Sequence, residues 1–166
     1  WQGVSCLMRC LLSLALLGTL ALSPAQASVR PRVASAGLCA DQLLLMLANR
    51  EQIASVSEQA SGPLSVYADL AKGLPVNRGA AEEIVASRTQ VYIYSDRMDQ
   101  RTAAALKGFG VKAIQVPFAN SWDEVDAMTR MIADAIGQKA RGDAILSDMH
   151  RRLERVRAPQ PSTQWP

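Results

Sequence analysis

The sequence predicts an α/β fold in which a mainly parallel sheet is flanked by helices. Short β-rich runs alternate with helical stretches along residues 32–116, at the spacing of strand–helix–strand units. The pattern then changes, because two amphipathic helical stretches follow one another without a strand between them. Crossovers between the parallel strands are expected to be right-handed.

Four strands are predicted from runs of apolar and β-branched residues, at residues 32–35, 53–57, 91–94 and 113–116. Tyr92 and Tyr94 of the third strand are expected to alternate, with one side chain in the core and the other in solvent. Tyr94, at the strand end, is therefore the better candidate for contact with a ligand.

Helices are predicted between and after these strands, at residues 40–47, 63–71, 80–87, 99–107, 121–136 and 139–156. Residues 73–79, which precede the third of these helices, are interpreted as a loop with outward-pointing Asn77 and Arg78 side chains. Ser121 is a good N-cap, and Glu124 three residues later completes a capping box. Trp122, just inside that helix, is interpreted as a packing residue.

The N-terminal segment is predicted to be a secretory signal peptide. Met8 and Arg9 precede an apolar run at residues 10–22, and an Ala-x-Ala cleavage site ends at Ala27. That run is too short for a membrane-spanning helix, which requires about 20 residues. The net charge is +3, and the basic residues do not form a stripe along the sequence, so nucleic-acid binding is not expected. We expect a soluble protein exported to the periplasm.

Motifs for catalysis and metal binding are largely missing. There is no glycine-rich nucleotide-binding motif, and beyond the signal peptide the chain carries one cysteine, Cys39, and one histidine, His150. One of each is too few for a zinc or manganese site. Cys39 is interpreted as a structural residue whose small thiol packs at its loop, and His150 as a solvent-facing helix residue. We expect no metal and no cofactor.

In parallel sheets of this kind, ligands bind beyond the carboxyl ends of the strands. The corresponding segments here are residues 36–40, 57–60, 94–97 and 117–122, together with the loop at residues 73–79. Polar and aromatic side chains at these ends favour a binding module over an enzyme.

The chain resembles the N-terminal lobe of the periplasmic substrate-binding proteins of ABC importers, of the cobalamin and iron–siderophore type. The resemblance rests on RVASAGLCADQLLLML, GLPVNRGAAEEIVA, VYIYSD and RTAAALKGFGVKAIQVP, and extends through SWDEVDAMTRMIADAIGQKARGDAIL. It implies a Rossmann-like lobe at residues 28–137 and a long inter-lobe helix at residues 138–157. Residues 1–27 precede the mature chain, and residues 158–166 form a tail where a second lobe would begin. We therefore expect a truncated protein or a fragment.

The resemblance also implies roles for individual residues. A cobalamin, a ferric siderophore or a haem-like ligand is held between two lobes, and acidic side chains dock onto the inner-membrane permease. The resemblance implies that Glu82 makes the docking contact, with Glu83 as a possible substitute. The protein is expected to be monomeric. The ligand contacts implied for this lobe are Leu38, Cys39, Gln59, Asn77, Arg78, Tyr94, Asp96, Arg97, Phe118 and Asn120.

Two alternatives stay open on the sequence. One is an exported α/β enzyme in which Cys39 acts as a nucleophile, since the thiol lies near a predicted helix N-terminus. The other is a truncated remnant without a function of its own.

Overall fold

A computed structural model of the protein describes residues 30–95 and 100–157. Its strands form one sheet in the order β3-β2-β1-β4-β5, and every pair is parallel. The strands are β1 (Val33–Ala36), β2 (Ile53–Ser57), β3 (Val76–Asn77), β4 (Val91–Tyr94) and β5 (Lys112–Gln115). The predicted α/β fold with a mainly parallel sheet is confirmed.

Helices connect the strands and extend beyond the last one. They are α1 (Leu38–Leu47), α2 (Ala68–Ala71), α3 (Ala81–Ala86), α4 (Gln100–Lys107), α5 (Trp122–Ala135) and α6 (Lys139–Arg157). Short 3-10 turns at Arg50–Gln52 and Glu58–Ser61 lie on either side of β2. No helix in the described ranges is long and apolar enough to cross a membrane.

Alternating side chains of the strands build a core on each face of the sheet. Val33 of β1 packs in a cluster with Leu44 of α1 and Ile132 of α5. Ala34, one residue further along β1, packs instead with Ile84 of α3 and Leu106 of α4. Because both faces are covered, residues on both sides of β1, β2 and β4 are buried, as is typical of parallel sheets.

The prediction that Tyr92 and Tyr94 alternate between the core and solvent is wrong. Both rings lie on the α3–α4 face, with centroids 5.8 Å apart and planes at 16°. The physical reason is the period of two in a strand, which places residues i and i+2 on the same face. Tyr92 is fully buried and Tyr94 is half-buried at the strand end.

The connection between β2 and α3 differs most from the prediction. Only Ala68–Ala71 of the helix predicted at residues 63–71 is helical, and a backbone bond from Ser65 N to Gly62 O makes a turn in its place. Residues 73–79 are not loop throughout, since Val76 and Asn77 pair with β2 as the edge strand β3. A two-residue strand is too short to leave a periodic pattern in the sequence.

Helices α5 and α6 have the bounds expected from their apolar periodicity, to within one or two residues. The Ser121 hydroxyl accepts from Glu124 N at 3.2 Å, as a capping box requires. In a capping box, the Glu124 carboxylate would accept from the N–H of Ser121. Here it accepts from Asn120 N at 2.5 Å, one residue earlier in the chain.

The turn between α5 and α6 is fastened at the amino-terminal edge of the sheet. Gln52 donates to Ile136 O at 3.0 Å, and its side-chain oxygen accepts from the amide of Gln138. Both glutamines are buried. Arg30 donates to Gly137 O at 3.3 Å on the outside of the same turn. These contacts hold the two-helix segment against the end of the sheet opposite the strands' carboxyl ends.

Candidate functional site: the carboxyl-end rim

The carboxyl ends of the five strands and the segments that follow them form one edge of the sheet, which we call the rim. Within the described residues, the rim comprises the segments 37–39, 58–61, 77–80, 94–95 and 116–121. The direction of winding reverses between β1 and β4, the central neighbours in the sheet order. Such a reversal opens the crevice in which parallel α/β sheets hold their ligands.

The segments after β1 and β2 are joined at the start of α1. Gly37, the residue before the helix, has a φ of 86° and provides no side-chain cap. The side-chain oxygen of Gln59 instead accepts from Leu38 N at 2.9 Å. Gln59 is thus on the rim as predicted, and it satisfies a helix N-terminus that would otherwise be open.

The interpretation of Cys39 as a structural residue with a packed thiol is wrong. It is a free and exposed cysteine in the first turn of α1. The helical stripe that packs on the sheet runs through Ala40, Leu44 and Leu47, and position 39 lies outside it. The thiol is therefore presented at the rim.

Asn77 is at the rim, but its side chain does not point outwards as expected. It is 3% exposed, and its amide donates to Ser35 O at 3.0 Å and to Ser55 Oγ at 2.9 Å. Its side-chain oxygen accepts from Gly79 N at 3.1 Å. These contacts reach β1, β2 and the loop that follows Asn77, so Asn77 ties the edge strand to the sheet.

Arg78 is exposed, in agreement with the sequence prediction. Its backbone N–H donates to the Glu83 carboxylate at 2.8 Å, which closes the loop onto the first turn of α3. Gly79 follows with a φ of 78°, a conformation that other residues rarely adopt. Thr102 of α4 donates to Gly79 O at 2.6 Å. The loop is thereby fixed while the guanidinium side of Arg78 stays accessible.

The rim beyond β5 carries exposed aromatic groups. Phe118 is 88% exposed, and Asn120 is exposed with its backbone bound to Glu124. Trp122, interpreted from the sequence as a packing residue, is also an exposed large hydrophobic residue. Asp96 and Arg97 lie outside the described residues. The rim therefore combines aromatic groups beyond β5 with the arginine beyond β3.

A buried carboxylate beneath the rim was missed in the sequence. Asp41 of α1 is completely buried and bonds to serines of β1 and β2. The sequence does contain a signal for this burial, because Asp41 lies on the same helical stripe as the apolar residues Leu44 and Leu45. A charged residue on an apolar stripe requires partners, and the serines of both neighbouring strands supply them.

Two further features lie away from the rim. A groove of about 640 Å³ runs along α6 between Met46, Tyr67 and Leu153, and none of the predicted ligand residues lines it. His150 is exposed as expected, but its Nε2 also lies 2.9 Å from Asp126 Oδ1 on α5. No group of three or more potential metal-ligating side chains occurs within residues 30–95 and 100–157.

No protein-family model matches the chain, and no curated protein does so either. Solved structures do match, each over about half of its own length. A possible iron-binding, periplasmic solute-binding protein from Staphylococcus epidermidis has a TM-score of 0.62 at 18% identity, with 81% of this chain and 54% of that one covered. A periplasmic heme-binding protein from Pseudomonas aeruginosa gives 0.60 at 21% identity, over 76% and 46% of the two chains.

A periplasmic vitamin B12 binding protein from Vibrio cholerae is similar to the same degree, with a TM-score of 0.59 at 18% identity. The match covers 80% of this chain and 53% of that protein. The chain therefore has the fold found in about half of a periplasmic binding protein, which confirms the fold that the sequence resemblance implied.

Proposed function

We propose that the chain is the ligand-binding lobe of a solute-binding component of an ABC importer. In this role it captures a cobalamin, a ferric siderophore or a haem-like ligand in the periplasm and delivers it to the inner-membrane permease. The observation that carries the proposal is the open rim, where five parallel strands direct exposed aromatic and basic side chains to one edge. The fold similarity to periplasmic heme, iron and vitamin B12 binding proteins supports it.

The residues at the rim fit an organic or chelated ligand with a flat apolar surface. Phe118 offers an exposed ring, and Tyr94 presents a second ring that is supported from below by Tyr92. Aromatic faces bury large areas at low conformational cost. Arg78 at the other side of the rim supplies a cation for an acidic group on the ligand.

The other proposed contacts differ in what they offer. Leu38 and Cys39 lie at the rim in the first turn of α1. Asn120 lies two residues after Phe118 in the rim segment that follows β5. Gln59 and Asn77 are occupied by rim contacts, so they act chiefly through the loops that they hold. Asp96 and Arg97 remain proposed contacts between Tyr94 and α4.

Binding is tested by titrating haemin, cyanocobalamin and a ferric hydroxamate into the protein carrying both lobes, with intrinsic fluorescence as the readout. Phe118→Ala is expected to weaken binding by about tenfold, since it removes an aromatic contact worth roughly 1–2 kcal/mol. Phe109→Ala is the matched control, because Phe109 is 67% exposed in the loop before β5, at the opposite edge of the sheet. Failure of all three probes to bind would reject the proposed function.

Docking to the permease is proposed to fall on Glu82. Glu82 and Glu83 are both exposed in the first turn of α3. The Glu83 carboxylate accepts from Arg78 N, whereas Glu82 makes no hydrogen bond or ion pair within the described residues. Glu82 is therefore available to a basic partner without any rearrangement of the rim.

An enzyme that uses Cys39 is the second candidate, and the exposure of the thiol at the rim favours it. A cysteine nucleophile is usually activated by a neighbouring base. The one histidine of the chain, His150, lies on α6 and contacts Asp126 of α5. Alkylation of Cys39 at neutral pH distinguishes the two candidates, since an activated thiol reacts much faster in the folded protein than in urea.

A further inference from the structure

The Asp41 carboxylate bridges the neighbouring strands β1 and β2 beneath the rim. Its Oδ1 accepts from Ser35 Oγ of β1 at 2.6 Å and from Ser57 N of β2 at 3.0 Å. Its Oδ2 accepts from Ser57 Oγ at 2.5 Å. The side chain is 0% exposed. A buried carboxylate is tolerated only when its oxygens are hydrogen-bonded, so these three donors are fixed in place by it.

The contacts continue from Asp41 to the surface of the rim. Ser57 Oγ, which donates to Asp41, also accepts from Gln59 N at 3.2 Å. This contact starts the 3-10 turn Glu58–Ser61 and orients Gln59. Gln59 in turn accepts from Leu38 N at 2.9 Å. Leu38, the first residue of α1, is thus connected to Asp41 both through the helix and through Gln59.

A second branch leads to the loop before α3. Ser35, whose hydroxyl donates to Asp41, accepts at its backbone oxygen from the Asn77 amide at 3.0 Å. Asn77 then holds Gly79 N at 3.1 Å. Three rim segments, which follow β1, β2 and β3, are therefore joined by one set of buried hydrogen bonds centred on Asp41.

We propose that Asp41 is a positioning residue, which holds these three rim segments in their binding arrangement before a ligand arrives. Ordering a loop during binding costs affinity, and a rim that is ordered during folding avoids that cost. The role in ligand binding rests on the proposed function, whereas the role in ordering the rim does not. Asp41 itself is buried and touches no ligand.

Amide hydrogen exchange without ligand tests the ordering of the rim. In Asp41→Ala, we expect the amides of Leu38, Ser57 and Gln59 to exchange at least about tenfold faster, because they lose their direct or relayed partner. The amides of Tyr92 and Ile93 at the sheet centre should keep their rates relative to the wild type. Asp41→Asn should restore part of the protection, since its single side-chain oxygen can accept the two bonds made by Oδ1, whereas its NH2 group can only donate to Ser57 Oγ.

Leu106→Ala is the control for a purely structural effect, because Leu106 is fully buried in the cluster on the other face of the sheet, which does not include α1. It should accelerate rim and sheet amides alike. The same uniform pattern in Asp41→Ala would overturn the proposal. If Asp41→Ala does not fold, Ser57→Ala is used instead, since it removes the donor to Oδ2 and the acceptor for Gln59 N.

Titration of haemin or cyanocobalamin adds the functional measurement. We expect Asp41→Ala to weaken binding by about tenfold and Asp41→Asn by much less. The loss of affinity should be larger in the variant whose rim amides exchange faster. A loosened rim with unchanged affinity would overturn the positioning role. If the wild type binds neither of these probes nor the ferric hydroxamate, the proposed function fails, and hydrogen exchange alone then decides whether Asp41 orders the rim.

Discussion

Glu82 and Glu83 are neighbours in the first turn of α3, and yet their carboxylates have different surroundings. Glu83 is bonded to Arg78 N, and Glu82 has no partner in the described part of the chain. Acidic side chains at this position also suit the helix N-terminus, so both residues have a structural reason to be there. The difference in partners separates a loop-closing residue from one that is available to another protein.

Glu82→Arg is expected to weaken binding to the permease by about tenfold or more while leaving ligand affinity unchanged, because it places a cation against basic partner residues. The measurement is association of the chain, extended by a second lobe, with the proposed permease in nanodiscs, alongside ligand titration. Glu83→Arg should disturb the Arg78 loop and lower ligand affinity as well.

Glu51→Arg is the matched control for Glu82→Arg. Glu51 is also exposed, but it lies before β2 at the edge of the sheet opposite the rim. Equal weakening of permease binding by both substitutions would reveal a general charge effect and remove the assignment to Glu82.

Asn77 illustrates which site residues sequence reasoning can place. Its position at the rim follows from the order of strands and helices, and so do those of Gln59, Arg78 and Phe118. Its burial does not follow, since its partners Ser35 and Ser55 are 42 and 22 residues away. Such partners are decided by strand register, which the hydrophobic pattern of a two-residue strand leaves open.

At the scale of elements, the strands β2 and β4 have the predicted bounds because almost every residue of each is buried and each run is rich in β-forming residues. The helix predicted at residues 63–71 failed for the opposite reason. Leu64, Val66 and Leu70 are apolar but exposed, so their spacing did not report a buried helical face. Periodicity predicts an element only where the apolar side chains enter a core.

The crossing of α5 and α6 depends on Gly142. A Cβ at this position would lie 2.6 Å from the Ala133 Cβ, which is well inside contact distance. Gly142→Ala is therefore expected to lower the free energy of unfolding by about 1–2 kcal/mol, since overpacking exceeds the gain of roughly 1 kcal/mol in helix propensity. Urea denaturation measures the change.

Ala133→Gly supplies the second edge of a double-mutant cycle with Gly142→Ala. The double variant should recover stability relative to the sum of the single changes, with a coupling of about 1 kcal/mol. Additive effects, or a stabilising Gly142→Ala, would show that the helices are not in close contact at this point.

The same helix pair carries a cluster of charges around Asp126. The hydrogen bond from His150, followed by the charges of His150 and Arg130, holds the pKa of Asp126 below its usual range. A lowered pKa in the folded state stabilises the fold above the pKa of the unfolded chain. That contribution is lost as the pH falls through the folded pKa.

Asp126→Asn is therefore expected to lower the free energy of unfolding by about 0.5 kcal/mol near pH 5, where the carboxylate is charged. The difference should shrink towards about pH 2, because the wild-type carboxyl is protonated as the pH falls through its lowered pKa. Urea denaturation at both pH values measures it. Asp69→Asn is the control, because its pair with Lys72 is far more exposed. An equal loss at both pH values would mean that packing, and not charge, is responsible.

At the scale of the whole molecule, the described residues supply one surface of the proposed site. The solved structures that the chain resembles are about twice as long as the matched part, and in this chain Phe118 and Arg78 face outwards from the rim. A ligand that contacts one surface alone keeps its desolvation cost and gains only part of its burial.

We therefore expect residues 28–166 alone to bind haemin at least about tenfold more weakly than a longer chain that adds a second α/β lobe. Parallel titrations of the two proteins measure the ratio. Hydrogen exchange of both proteins is the control for folding, because it reports whether the first lobe is equally ordered in each. Equal affinities would mean that this lobe holds the ligand by itself.

The buried pair of Gln52 and Gln138 has a mechanical consequence. It fastens the start of α6 to the sheet, while Glu154, Arg155 and Val156 near the other end are all exposed. With 19 residues, the helix is about 28 Å long. Gly142 and His150 hold the helix against α5 further along its length, so a tilt of the whole helix pair at the sheet becomes a larger displacement at the tip. A body attached to that tip would swing about an axis far from the place where it is joined.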